Sequence, residues 1–263
     1  MNVVKFPGLN LSFKFSRVAF NLFGILVYKY AVCIVLGMLI GIIICKINAE
    51  KLNINFEDAL EKFIIAFIVG LIGARLYYVI FKFDYYKENL FQIFNIRDGG
   101  LAIYGGLIFG LFSIFISFRN KKESLLKYLD FIVPSVAIAQ SIGRWGNFFN
   151  VEAYGYETTN LLRMGIIESG KYIEVHPVFL YESICTFLIF IFLLYLQKNK
   201  KFNGQVLFSY LLLYSAARTF LEGFRTDSLM LFGFRVSRVL SIMIFAISIF
   251  LYVKESRKKS HES

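Results

Sequence analysis

From Gly143 to Gly155 a very apolar chain abruptly gathers glycines, amides, an arginine and a carboxylate: Gly143-Arg144-Trp145-Gly146-Asn147-Phe148-Phe149-Asn150-Val151-Glu152-Ala153-Tyr154-Gly155. Arg144 directly follows an apolar run. A guanidinium at the edge of a bilayer is costly unless it meets a partner, here Glu152 or an anionic ligand. The glycines let backbone approach whatever that partner is. A second charged set, Arg218, Glu222 and Arg225, stands at i, i+4 and i+7, which puts the carboxylate between two guanidiniums on one helix face and leaves an arginine over for a ligand. For Arg225, near the interface, an internal salt bridge is the better reading. Glu182 lies about a turn and a half into an apolar helix and needs a cation, most naturally an arginine of the same cluster. The chemistry these types suit is the handling of an anion at a membrane surface.

The elements that must carry these residues are membrane spans. Of the 263 residues 57% are hydrophobic and 18% charged, too apolar for an ordinary soluble domain. Apolar stretches ending at Cys45 and covering 63–81, 101–118, 125–142, 177–196, 206–224 and 231–253 are each near the ~20 residues that cross hydrocarbon. The expectation is an all-α integral membrane protein of about seven helices, one polytopic domain over 1–263, with a small extracytoplasmic loop subdomain at about 143–175. Asp130, Pro134 and Gln140 interrupt the fourth span, which asks for shielding by neighbours. The first run is longer than a signal-peptide core and no cleavage site follows it, so it should stay attached.

The formal charge of +11 sits in short clusters between apolar runs, which argues against nucleic acid as a partner. Arg119, Lys121, Lys122 and Lys127 crowd one loop, Lys198, Lys200 and Lys201 another, and Lys254, Arg257, Lys258 and Lys259 the tail. Those ends should be cytoplasmic, with the N-terminus and the 143–175 loop outside. Tyr104 then opens the third span, Arg144 closes the fourth, Glu182 lies early in the fifth and Arg218 late in the sixth, so all four fall on the outer side. Cys33, Cys45 and Cys185 lie inside apolar runs and read as small buried hydrophobes. With His176 and His261 as the histidines, no metal-ligand cluster is expected. His176 and Pro177 suit the start of a helix, Tyr30 reads as a packed ring, and Arg75 as a paired bundle residue. An anion transporter would use similar arginines, but no internal repeat of the kind such proteins often show is visible. A non-catalytic lipid-binding protein would use the same residue types.

The segment 143–155 resembles the signature of the prolipoprotein diacylglyceryl transferases, Gly-Arg-x-Gly-Asn-Phe-x-Asn-x-Glu-x-x-Gly, at every fixed position. Further resemblances lie at Gly99-Gly100-Leu101-Ala102-Ile103-Tyr104-Gly105-Gly106, at His176-Pro177-Val178-Phe179-Leu180-Tyr181-Glu182, and at Arg218-Thr219-Phe220-Leu221-Glu222-Gly223-Phe224-Arg225. The resemblance implies a multi-pass enzyme of the bacterial cytoplasmic membrane that works with no metal or organic cofactor. Its partners would be membrane lipids, phosphatidylglycerol as lipid substrate, and prolipoprotein signal peptides with a lipobox cysteine, whose thiol receives the diacylglyceryl group. Glycerol phosphate would leave. Arg144, Arg218, Tyr104 and Glu152 are then the expected catalytic residues, and Tyr30, Asn147, Gly155, Glu182 and Glu222 the expected substrate-binding ones. Arg144 and Arg218 would hold the phosphate, and Asn147 would offer its amide to the glycerol headgroup. Glu152 would either orient Arg144 or take up the thiol proton, and the sequence leaves both roles open. Members of the family carry histidine or tyrosine where Tyr104 stands; hydrogen-bond donation is the favoured role here, because a tyrosine hydroxyl with a pKa near ~10 is a weak acceptor of a thiol proton. Ala31 stands where the family commonly has glycine after the residue matching Tyr30.

Overall fold

The computed structural model describes residues 2–95, 99–119 and 122–262; Lys121 of the first basic loop lies outside them. The chain is mostly helical, and it forms two compact units, Met1–Ile47 with Leu129–Ser263, and Asn48–Tyr128.

The first unit opens with four strands, and the last two of them stand where the first span was expected to begin. β1 (Asn2–Phe6) and β2 (Leu11–Phe15) form a hairpin, and β3 (Val18–Leu22) and β4 (Ile25–Tyr28) form another. The first helix, α1 (Lys29–Leu52), begins only at Lys29. Alternation of side chains marks β1: Val4 and Phe6 point into a core while Lys5 points out, a two-residue period that an apolar count does not register. β1 pairs antiparallel with β5 (Met164–Glu168), which pairs with β6 (Lys171–Val175), giving a four-stranded sheet in the order β2-β1-β5-β6. Val4, Phe6, Met164, Ile166 and Val175 pack there against Phe148 and Phe179. The expected all-α class is therefore corrected to a mostly helical fold with a small sheet.

α5 (Lys122–Asn150) carries a second correction, because it runs through Pro134 and on through Gly143 and Gly146 to Asn150. The arginine-bearing segment up to Asn150 is helix, and the loop begins at Val151. Gly146 is needed for close packing: a Cβ there would lie 2.7 Å from Cδ2 of Tyr30 on α1. The two polar side chains that interrupt this span, Asp130 and Gln140, both find partners. Asp130 accepts from the backbone N–H groups of Gly204 (2.8 Å) and Leu207 (2.9 Å), so it caps α7 (Gln205–Leu221) from a neighbouring helix. Gln140 accepts from the Tyr210 hydroxyl at 2.8 Å. α6 (Val178–Lys198) packs on α7, and α7 on α8 (Val236–Glu262); Val133 and Ala137 of α5, Ile189 and Leu193 of α6, and Val206 and Tyr210 of α7 form one core. A two-residue hairpin, β7 (Met230–Leu231) and β8 (Phe234–Arg235), leads into α8.

In the second unit α2 (Phe56–Phe81) packs tightly on α4 (Ile103–Ser117), with α3 (Phe83–Tyr86) between them in sequence. Glycines make the contact close: a Cβ on Gly70 would lie 3.0 Å from the carbonyl oxygen of Gly106. Arg75 is held by main-chain carbonyls, donating to those of Gln92, Ile93, Asn95, Gly99 and Gly100 at 2.7–2.9 Å. Its charge is thus spread over five oxygens.

Among the described residues five helices are long and apolar enough to cross a membrane: α1, α2, α5, α6 and α8. α4 is apolar but has 15 residues, and α7 has 17. In α8 only 11% of the apolar window is buried in protein, and in α1 17%, so most of that surface must meet another apolar medium.

Candidate active site

α5, α6 and α7 each deliver one charged side chain to a common point in the first unit. Glu182 comes from the second turn of α6, and its side chain is 6% exposed. One oxygen, Oε2, faces Arg144 Nε from α5 at 2.6 Å. The other, Oε1, accepts from Arg218 Nη1 near the end of α7 and lies 3.5 Å from Arg225 Nη1. Three guanidiniums thus converge on one buried carboxylate. Mutual compensation of opposite charges makes such a buried carboxylate tolerable.

Each arginine is left in a different condition. Arg218 is held by two carboxylates, since its Nη2 also lies 2.7 Å from Oε2 of Glu222, whose side chain is 1% exposed. This is an ion contact that falls short of hydrogen-bond geometry: among the described residues neither Glu222 side-chain oxygen has a hydrogen-bond partner. Arg225 is fixed by Asp227, donating from Nε at 3.0 Å and Nη2 at 2.9 Å. The expected common helix face for these three residues is corrected: α7 ends at Leu221, Glu222–Phe224 is a 3-10 turn and Arg225 is extended, so tertiary folding and not helical spacing brings Arg225 to Glu182. Arg144 alone of the three is partly open. Its side chain is 26% exposed, and its two terminal amino groups donate no hydrogen bond to the described residues.

The expected alternative of Arg144 meeting Glu152 is also corrected. Glu152 Oε1 accepts from the side-chain amides of Asn147 (2.9 Å) and Asn150 (3.3 Å), residues on the last turn of α5, while Arg144 turns to Glu182. The physical reason is burial: the carboxylate on α6 is shut away from water and gains more from a cation than one on a loop. Just after this helix Val151 and Ala153 sit at φ +54° and +55°, left-handed backbone that a β-branched valine adopts only under constraint. Glu152 and Asn150 line an open cavity of about 480 Å³ with Tyr30, Ala31, Tyr28, Val151 and Arg17.

Gly155 has a packing role. Its N–H donates to the carbonyl of His176 at 2.9 Å, it bridges to Arg225, and a Cβ would lie 2.6 Å from the Phe224 carbonyl oxygen and 2.8 Å from His176 Cβ. Burial pushes the His176 imidazole below its usual range, so it stays neutral. Tyr104 stands in the second unit as the second residue of α4, 41% exposed. Among the described residues no group of three or more histidine, cysteine or carboxylate side chains could hold a metal.

The structure thus unites Arg144, Glu182, Arg218 and Glu222 in one network, and Asn147 with Glu152 in a second. Sequence reasoning passed over Asn150, Asp227, Tyr156 and Arg235 as contributors. Asn150 was legible as a fixed position of the motif. Arg235 carried no signal, since a basic residue in the first turn or so of a span reads as an interfacial charge.

The family model for prolipoprotein diacylglyceryl transferase matches residues 17–254. A phosphatidylglycerol–prolipoprotein diacylglyceryl transferase of Clostridioides difficile (strain 630) is 47% identical over 246 residues, covering 94% of this chain and 98% of the relative. Relatives with the same name from Finegoldia magna (44% identical; 92% and 97% covered) and Clostridium botulinum (strain Langeland; 43%; 93% and 98%) match over nearly the same length. The chain belongs to the prolipoprotein diacylglyceryl transferase family.

Proposed function

We propose that this protein transfers the diacylglyceryl group of phosphatidylglycerol to the lipobox cysteine of prolipoproteins. The sulfur forms a bond to the glyceryl carbon, the bond from that carbon to the phosphate oxygen breaks, and glycerol phosphate leaves with the electron pair. The thiol proton is given up as the thioether forms and leaves with the glycerol phosphate or to water. Charge gathers on the departing phosphate, so fixed cations there lower the barrier most. One observation carries the reading: Glu182 anchors Arg144 through Nε and leaves its two terminal amino groups, which lie in one plane, without a hydrogen-bond partner among the described residues. Arg218, clamped by two carboxylates, supplies the electrostatic background. Glu152 holds the Asn147 amide at the rim of the cavity that Tyr30 lines, where a glycerol headgroup would be oriented. Tyr104 is assigned hydrogen-bond donation to the phosphate.

Seven spans, with α4 and α7 shielded by their neighbours, put the site and the N-terminus outside and the C-terminus in the cytoplasm; the basic clusters support this orientation. A cysteine introduced at Thr158 should react with an impermeant thiol reagent from outside, and one at Asn199 should not. For the reaction, vesicles holding headgroup-labelled phosphatidylglycerol should release glycerol phosphate only when a lipobox peptide with a free thiol is present. Release without peptide would make the protein a lipase-like hydrolase and sink the proposal.

A further inference from the structure

Ten residues beyond Arg225, Arg235 reaches back from β8 to the cluster. Its Nη1 donates to the main-chain carbonyl of Glu222, its Nη2 donates to the Tyr156 hydroxyl at 2.7 Å, and its guanidinium lies 5.9 Å from the centroid of the Tyr156 ring. The Glu222 carbonyl also accepts from the N–H of Arg225 at 3.4 Å. Tyr156 in turn donates its N–H to the Phe224 carbonyl at 2.9 Å, beside the Gly155–Arg225 bridge. Three pieces of chain meet on one side chain: the β7–β8 hairpin, the Glu222–Arg225 turn and the loop at Gly155–Tyr156.

The Glu222 carbonyl stands at the C-terminal end of α7, where carbonyls lack helical partners and the helix dipole is negative. A planar cation with two directed donors answers both needs and fixes the distance to Tyr156 as well. We infer that Arg235 is a positioning residue for the transfer reaction. It fastens the turn from which Glu222 grips Arg218 and Arg225 reaches Glu182. The buried Glu222 carboxylate has no hydrogen bond of its own to hold it, so its placement against Arg218 depends on the main chain that carries it. A shift of that turn moves Arg218, and displacements near 1 Å at a distance from the chemistry can cost about a hundredfold in rate. The inference rests on the reading of the arginine cluster as the reaction site.

The test uses the full-length protein in phosphatidylglycerol vesicles with a lipobox peptide. Arg235→Met should lower kcat between about ten- and a hundredfold while KM for the lipid stays within about threefold, and Arg235→Lys, which can keep one of the two contacts, should recover part of the loss. Tyr156→Phe should cost about two- to tenfold and add little to Arg235→Met, because both changes cut the same tie. Hydrogen exchange supplies a readout independent of activity: the Arg225 and Tyr156 amides should exchange about tenfold faster in Arg235→Met while β5 amides stay unchanged. Turnover of Arg235→Met within about twofold of the parent overturns the inference, as does unaltered exchange at those amides. If the parent itself forms no adduct, the functional reading fails, and the exchange result still decides whether Arg235 fixes the turn.

Discussion

Replacing Arg144 with lysine keeps the charge and removes the fork, which makes it the sharpest probe of the site. In the parent, Nε faces Glu182 at 2.6 Å and both terminal amino groups remain for a ligand. A lysine has one nitrogen, so it either stays with the buried Glu182 carboxylate or leaves it to reach a phosphate. Burial of Glu182 favours the first, since an uncompensated charge there is expensive. The lysine variant should therefore fold and lose phosphate recognition. Removing one preorganised donor typically costs on the order of 10² to 10³ in turnover, or roughly 2.7 to 4 kcal/mol at ~1.36 kcal/mol per decade. Initial rates of peptide adduct formation, measured by mass at saturating lipid, give the number directly. A lysine variant turning over within about threefold of the parent would refute the reasoning and make Arg144 a structural ion pair.

Glu182→Gln leaves three guanidiniums around a neutral amide; the cost of breaking a buried pair, about 3–5 kcal/mol, should lower the melting temperature of the detergent-solubilised protein by roughly 6–20 °C. An unchanged melting curve would show that water or lipid already compensates the cluster. Gly155→Ala drives a Cβ to 2.6 Å from the Phe224 carbonyl, so a loss of about 1–3 kcal/mol in stability is expected, read by denaturant titration. Tyr104→Phe should reduce the rate about two- to tenfold with an unchanged pH profile if the hydroxyl only donates a hydrogen bond. Near-complete loss, partly rescued at high pH, would make Tyr104 the base instead.

The sequence made the helices readable wherever an apolar run was long and its polar residues few, as in α2, α6 and α8. It also showed that Glu182, a carboxylate inside an apolar helix, had to meet an arginine, and the structure supplies two within 2.6 Å. Proximity along the chain misled for Glu152, eight residues from Arg144, because the choice between carboxylates is made by burial and not by spacing. The N-terminal sheet was hidden for a related reason: Lys5 pairs with Gly165, and a register between strands so far apart leaves no local mark. Phe148 completes that sheet's core from a helix, so its motif position serves packing as well as the site. Arg235 lay beyond reading because its partner is a backbone carbonyl, which every residue possesses.

The most direct test of the central claim is the mass of a lipobox peptide after incubation with the purified protein in vesicles. With phosphatidylglycerol the peptide should gain one diacylglyceryl group at the cysteine, stable to neutral hydroxylamine as a thioether is, with one glycerol phosphate released per adduct. A cysteine-to-serine peptide should gain nothing. An unmodified cysteine peptide, or an adduct that hydroxylamine removes as it would a thioester, would contradict it.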